Sequence, residues 1–280
     1  MPLLQALAAK VSGFIGRESR PVRLLRPVYE ALLDLWSWGH GYLHTVNGIE
    51  QFYVAPRNRG LYPTSYDAPV MDYLRAHVRP GQTCINAGAN AGVYTMCLAL
   101  WAGPDGHAYA FEPNPAMRKV IEDTARRSGL DKRITACAEA IGAEPGSATL
   151  QVADDMTGCT RLDQPNPEAE FKHVAHRPLT VPVTTLDRFC AEHAVTPDWV
   201  MMDIEGYEVA ALRGAREMVL AGRGRLGLIV ETHPVLWEIS GSSRQDFERL
   251  LGELGLRAVP LTGQGDPFGE RGIVSLEYVA

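Results

Sequence analysis

CINAGANAGVYT, from Cys84 to Thr95, is the stretch on which the reading of this chain turns. An apolar, strand-like run leads into two glycines, Gly88 and Gly92, and FEP follows at Phe111, Glu112 and Pro113. Such a sequence describes a nucleoside-binding βαβ unit. The bend from strand to helix is free of bulk so that a ligand can lie against the backbone, and a carboxylate roughly 20 residues further on is placed to grip a ribose.

The glycine spacing narrows the ligand. It is GxxxG, with Asn90 where a dinucleotide fingerprint carries its second close-approach glycine. A smaller, cationic ligand such as S-adenosylmethionine therefore fits better than NAD. Taken alone, a glycine pair after a strand also describes a plain tight turn. A third segment adds weight: DWVMMDIEGYEVAALRGA, Asp198 to Ala215, reads as a buried strand, a carboxylate-rich turn and a helix. In open α/β sheets ligands bind beyond the carboxyl ends of the strands, so Asp203 and Glu205 are expected to face the same crevice as Gly88 and Glu112.

Outward from this centre, strands are expected near 83–87, 107–112, 133–141, 198–204 and 226–231, with Val, Ile, Met and Cys crowded as in buried parallel strands. Residues 147–153 and 179–183 read as an additional strand pair. The polar, proline-bearing segment between them, Asp154 to Pro178, reads as a substrate loop or an insertion. LRAVPLTG and IVSLEYVA read as two closing strands joined by a glycine-rich turn. VNGIEQFYV, Val46 to Val54, carries Asn47-Gly48 at its turn and predicts a short hairpin. Residues 1–45 read as a helical extension and 46–280 as the main domain. Within the extension Arg17, Arg20, Arg23 and Arg26 recur at every third position, which fits an anionic membrane surface or, alternatively, a helix packed on the domain or on a second subunit.

The chain of 280 residues holds 27 basic and 33 acidic side chains, a formal charge of -6, which argues against a protein that coats nucleic acid by neutralising phosphates. Its 5 cysteines are scattered, with no CxxC pair or zinc spacing, as expected in a reducing compartment. The amino-terminal apolar run lacks a basic leader, and no run is long enough for a membrane span, so a cytoplasmic location is expected.

At this point the motifs can be set against a known family. GANAGVYT, FEPNP, VPVTTLD at Val181 to Asp187, MDIEGYE at Met202 to Glu208 and LRGA at Leu212 to Ala215 resemble, in the same order, the FkbM-type S-adenosylmethionine-dependent methyltransferases. The resemblance covers roughly residues 46 to 233. It implies a class I methyltransferase, a Rossmann-like α/β fold with a seven-stranded sheet and helices on both faces. It also implies O-methylation of a hydroxyl on a sugar, polysaccharide or secondary metabolite. The family's loop usually begins with Asp where this chain has Asn86, and its usual Lys is Met202. A lost carboxylate at 86 would weaken the hold on the cofactor's ammonium group by about 1–3 kcal/mol.

On this reading Asn86, Gly88, Ala89, Asn90 and Gly92 belong to the cofactor's methionine end, and Glu112 with Pro113 to its ribose. Glu139 and Ala140 are adenine-side candidates by position, and Asp203 borders the same site. An alcohol needs a base: His233 is the candidate by its pKa, with Asp203, Glu205 and Glu231 as alternative bases or orienting groups. The same side chains, Asp203 and Glu231 with Glu205 or His233, also fit a Mg²⁺ that acidifies the hydroxyl. Glu208 reads as a first-turn helix carboxylate. Tyr53, Tyr62, Tyr66, Arg57 and Arg59 are acceptor-side candidates for a glycan or small metabolite, or else ordinary filler. Two other readings stand beside transfer: a catalytically silent nucleoside-binding or scaffolding subunit, and an NAD-dependent oxidoreductase.

Overall fold

A computed structural model describes residues 20–153, 161–162 and 175–279. It begins with helix α1 (Arg20–Trp36), the hairpin β1 (Tyr42–Val46) and β2 (Glu50–Val54), and a short 3-10 turn at Pro56–Leu61. Helix α2 (Ala68–His77) leads into β3 (Thr83–Ala87), α3 (Val93–Trp101), β4 (His107–Phe111), α4 (Pro115–Arg127) and β5 (Ile134–Cys137). Four strands, β6 (Ala140–Ile141), β7 (Gly146–Ala153), β8 (Arg161–Leu162) and β9 (His176–Thr184), then form a separate sheet in the order β6-β9-β7-β8. The chain continues through α5 (Leu186–His193), β10 (Trp199–Met202), α6 (Glu208–Arg213), α7 (Arg216–Ala221), β11 (Gly227–Thr232) and α8 (Pro234–Trp237). It closes with α9 (Arg244–Leu254), β12 (Leu256–Pro260) and β13 (Gly272–Tyr278).

The main sheet has seven strands in the order β12-β13-β11-β10-β3-β4-β5. All pairs are parallel except those made by β13, which runs antiparallel to β11 and β12. Its strands read as continuous apolar runs because both faces are covered: Met201 and Ile229 pack into the core on one side, Val200, Met202, Leu228 and Val230 into the core on the other. From β3 the chain builds outward through β4 and β5, then crosses back to lay β10 on the opposite side of β3. That reversal opens a crevice between the carboxyl ends of β3 and β10, the position where doubly wound sheets bind ligands.

Several expectations need correction. The span expected as one strand, 133–141, breaks after Cys137: β5 stays with β4, and β6 leaves to pair with β9. The hairpin starts at Tyr42, four residues earlier than expected, because Asn47 and Gly48, at φ 50° and 73°, occupy the turn itself and pair Val46 with Glu50. β1 thus begins inside the stretch assigned to the extension. Helix α1 is tied to the domain by Arg127, whose Nη1 lies 2.6 Å from Oδ1 of Asp34, while Leu24, Leu25, Leu35 and Trp38 remain exposed. Arg17, the side chains of Arg20, Arg23 and Arg26, Cys159 and most of the segment from Asp154 to Pro178 lie outside the described residues. Among those described, Cys84, Cys97 and Cys137 are buried free thiols and Cys190 is half-buried. No helix there is long and apolar enough to cross a membrane.

Candidate active site

A cleft lies over the carboxyl ends of β3, β4 and β10. Gly88, Asn90, Glu112, Pro113, Glu139, Ala140, Asp203 and Glu205 all line it, and the small sheet walls it with Ile141, Leu150 and Leu162. Three remote motifs thereby meet in one crevice.

Gly88 shows what the bend requires. Its φ is +78°, and a Cβ there would stand 1.7 Å from the carbonyl oxygen of Asp203. The loops after β3 and β10 are in backbone contact, so the bulk-free bend first serves the approach of two strands and only then a ligand. Gly92, at φ +92°, would meet Ile121 of α4 at 3.0 Å. Neither Gly92 nor Ala89 lines the cleft; both are inward-facing parts of the turn.

Glu112 is 6% exposed, and its two oxygens each accept a backbone hydrogen bond: Asn90 N–H donates to Oε2 at 2.7 Å and Asn114 N–H donates to Oε1 at 2.8 Å. Burial raises its pKa to about 7 against the lowering effect of those two donors. The cap of α4 is a different residue, Asn114, whose Oδ1 accepts from Ala116 N–H at 3.0 Å. Beside it, Oδ1 of Asn90 is buried with no hydrogen-bond partner.

Asn86, expected at the cofactor's methionine end, has its side chain behind the cleft surface. It is 2% exposed and outside the cleft lining. Thr95 Oγ1 donates to its Oδ1 at 2.9 Å and its Nδ2 faces the carbonyl of Met201. Its side chain joins α3 to β10, so the missing charge at this position is not a charge missing from the cleft.

A second constellation adjoins the cleft. His233, at 2% exposure, follows β11. Its Nδ1 donates to Glu208 Oε1 at 2.8 Å, and its Nε2 lies 3.5 Å from Glu231, 3.8 Å from Asp203 and 3.9 Å from Glu205. Burial alone would lower its pKa; Glu208, with Asp203 and Glu205, outweighs that and lifts it to about 10. Burial and the neighbouring Glu231 push Asp203 well above the usual carboxylate range, and burial raises Glu205 as well.

Glu208 is the residue whose part the sequence concealed. It is fully buried and accepts three hydrogen bonds, from His233, from Gly206 N–H at 2.8 Å and from Trp237 Nε1 at 2.8 Å. The only trace in the sequence was a glutamate, histidine and tryptophan near two strand ends. Arg271, from the turn before β13, donates through Nε to Glu231 Oε1 at 2.9 Å.

Of the acceptor-side candidates, Tyr66 alone stands near this cluster: Asp203 and Glu231 contribute to its raised pKa, after burial, and its ring meets Tyr94 edge-on at 5.2 Å. Tyr94 in turn donates to Asp67 at 3.0 Å. Tyr62 is core, its hydroxyl donating to Ala91 O at 2.6 Å. Tyr53 of the hairpin meets the His40 ring at a tilt, 5.6 Å between centroids, and Arg59 reaches back to Glu30 of α1.

The family model of the methyltransferase FkbM domain matches residues 86–258. The chain belongs to the FkbM methyltransferase family. The match takes in every residue of the cleft and of the cluster named above except Tyr66, Asp67 and Arg271. Over 91 residues the chain is 26% identical to a protein-L-isoaspartate O-methyltransferase of Triticum aestivum; that is 32% of this chain and 36% of the relative, so the chain spans about a third of the curated relative's length. Among solved structures it is similar to a methyltransferase FkbM from Methylobacillus flagellatus, with TM-score 0.43 and 16% identity over 73% of this chain and 50% of that one. It is also similar to an S-adenosylmethionine-dependent O-methyltransferase from Thermotoga maritima, with TM-score 0.42 and 12% identity over 89% and 82% of the two chains. The family match, and none of these likenesses, carries the assignment.

Proposed function

We propose that this protein transfers a methyl group from S-adenosylmethionine to a hydroxyl oxygen of a sugar, polysaccharide or small metabolite. One observation carries the reading: a buried carboxylate at the tip of β4, Glu112, shares a cleft at the sheet's switch point with the acidic turn after β10. The cleft fits the cofactor. Glu112 retains acceptor capacity for ribose hydroxyls, the Asn90 Oδ1 is a buried acceptor with no protein donor, and Asp203 offers a carboxylate at the end where a sulfonium and an ammonium would lie.

The cofactor supplies an electrophilic methyl on a cationic sulfur. The acceptor oxygen forms a bond to that carbon as the carbon–sulfur bond breaks, and sulfur keeps the electron pair and becomes neutral. The chain's own contribution is alignment and the removal of the hydroxyl proton. Asp203 and Glu205 face the cleft, and their raised affinity for a proton suits them to take it. His233 stands behind them, its Nε2 3.8 Å from Asp203 and 3.5 Å from Glu231.

Isothermal titration with S-adenosylmethionine, with NAD as the control, followed by transfer of labelled methyl to a panel of hydroxylated acceptors, tests the reading. Saturable binding of the first ligand and label on an oxygen support it. Binding of NAD in its place, or cofactor binding with label in no acceptor of the panel, counts against it.

A further inference from the structure

We propose that Asp203, Glu231 and His233 form a divalent-cation site beside the cleft, suited to a hard-to-borderline ion of the Mn²⁺ class. The donor atoms are Asp203 Oδ1, Glu231 Oε1 and His233 Nε2, all within 4.8 Å of one another. Two ligands held about 2.1–2.2 Å from one ion stand about 3.0 Å apart at a right angle, about 3.5 Å at a tetrahedral angle and about 4.3 Å when opposed. The Nε2 distances of 3.5 Å to Glu231 and 3.8 Å to Asp203 fall inside that window.

The second observation is independent of the acidic cluster. His233 Nε2 is buried with no hydrogen-bond partner, on a side chain only 1% exposed, and Oδ1 of the half-buried Asp203 is likewise a buried atom without one. A buried polar atom without a partner costs free energy unless something meets it. Two such atoms face each other across a gap too long for a hydrogen bond and the right width for an ion.

The orientation of the imidazole has a cause. Glu208 accepts from Nδ1 at 2.8 Å and spends its remaining capacity on Gly206 and Trp237, so it has no proton to give. Nδ1 carries a hydrogen in either protonation state, and Nε2, on releasing its own proton as the ion enters, is the nitrogen left to ligate it. A histidine held by a carboxylate behind it is the recurrent way a metal-binding imidazole is fixed in tautomer and direction. Glu205, its Oε2 3.9 Å from Nε2, supplies a fourth donor atom at the cleft edge. Arg271 takes one lone pair of Glu231 Oε1 and leaves the rest for an ion. Two carboxylates and one imidazole suit Mn²⁺ better than the all-oxygen shell of Mg²⁺ or the thiolate-rich shells of structural Zn²⁺.

Because Asp203 also lines the cleft, the ion would reach the acceptor's oxygen and ease loss of its proton, leaving Glu205 to receive it. That role rests on the methyl transfer proposed above; the site itself does not.

The full-length protein, stripped with EDTA and dialysed, is titrated with MnCl₂ without cofactor while electron paramagnetic resonance reads the free ion. One Mn²⁺ bound per chain is expected, weakened about tenfold or more by Glu231→Gln and by His233→Ala, and also by Glu208→Gln, which touches no ion. Should His233→Ala unfold, the near-isosteric Glu231→Gln decides alone, with circular dichroism confirming its fold. No loss of the free-ion signal in the unaltered protein overturns the site, as does binding that Glu231→Gln leaves unchanged. A stripped protein that still binds S-adenosylmethionine but transfers methyl only after Mn²⁺ is added supports the ion's role. Full transfer in EDTA overturns the role while the binding result stands.

Discussion

His233 Nδ1 lies 2.8 Å from Glu208 Oε1, and both side chains are withdrawn from solvent. The pair joins the end of β11 to the first turn of α6 and aims the far nitrogen of the ring at the acidic turn beside the cleft.

Glu208→Gln removes one of the two acceptor oxygens that three donors share and leaves a buried imidazole without its counter-charge. Breaking a buried ion pair from one side costs about 3–5 kcal/mol. A fall of that size in urea-unfolding stability is expected. A loss below about 1 kcal/mol would mean that the pair behaves like an exposed one.

Glu112 makes stability depend on pH. Its pKa rises from 4.5 to about 7 on folding, so the folded state favours the protonated form. The contribution is complete below pH 4.5 and is lost as pH rises through about 7, amounting to roughly 3 kcal/mol if the shift is fully expressed. Glu112→Gln is expected to flatten the stability curve between those limits. Cofactor affinity should rise with pH over the same window, because the ionised carboxylate is the better acceptor for ribose hydroxyls. Parallel pH profiles of the variant and the unaltered protein would contradict both expectations.

Gly88→Ala places a methyl within 1.7 Å of the Asp203 carbonyl at a backbone φ of +78°. Either the bend opens or the loop after β10 moves, and both displace Asp203. A lower melting temperature together with at least about a tenfold loss of cofactor affinity is expected, since overpacking at such contacts costs about 1–3 kcal/mol. A variant with native affinity would show that the loop yields freely.

Asn86→Asp restores the residue more usual in the family but buries a charge between Thr95 and the Met201 carbonyl. It is expected to leave cofactor affinity within about threefold and to lower stability by about 1–3 kcal/mol at neutral pH, the cost of an unsatisfied buried group. A large gain in affinity, measured by calorimetry, would place this side chain at the ligand after all.

The order of strands and helices was legible in the chain because each rests on local chemistry. Parallel strands covered on both faces must be apolar throughout, as at Trp199–Met202, and a left-handed turn wants Asn47-Gly48. The glycines, FEP and the acidic turn were legible as a set because the ends of parallel strands share one edge of the sheet. What a side chain touches there is not local. Asn86 turns to Thr95, Glu208 gathers partners from Gly206, His233 and Trp237, and the strand after Arg133 breaks at Cys137 because Ala140 finds Val183. Those choices depend on which surfaces arrive from residues far along the chain, and only their packing removes the water that would otherwise satisfy each polar atom. Burial, set by tertiary structure alone, made Glu208 a hub and fixed the direction in which the His233 ring points.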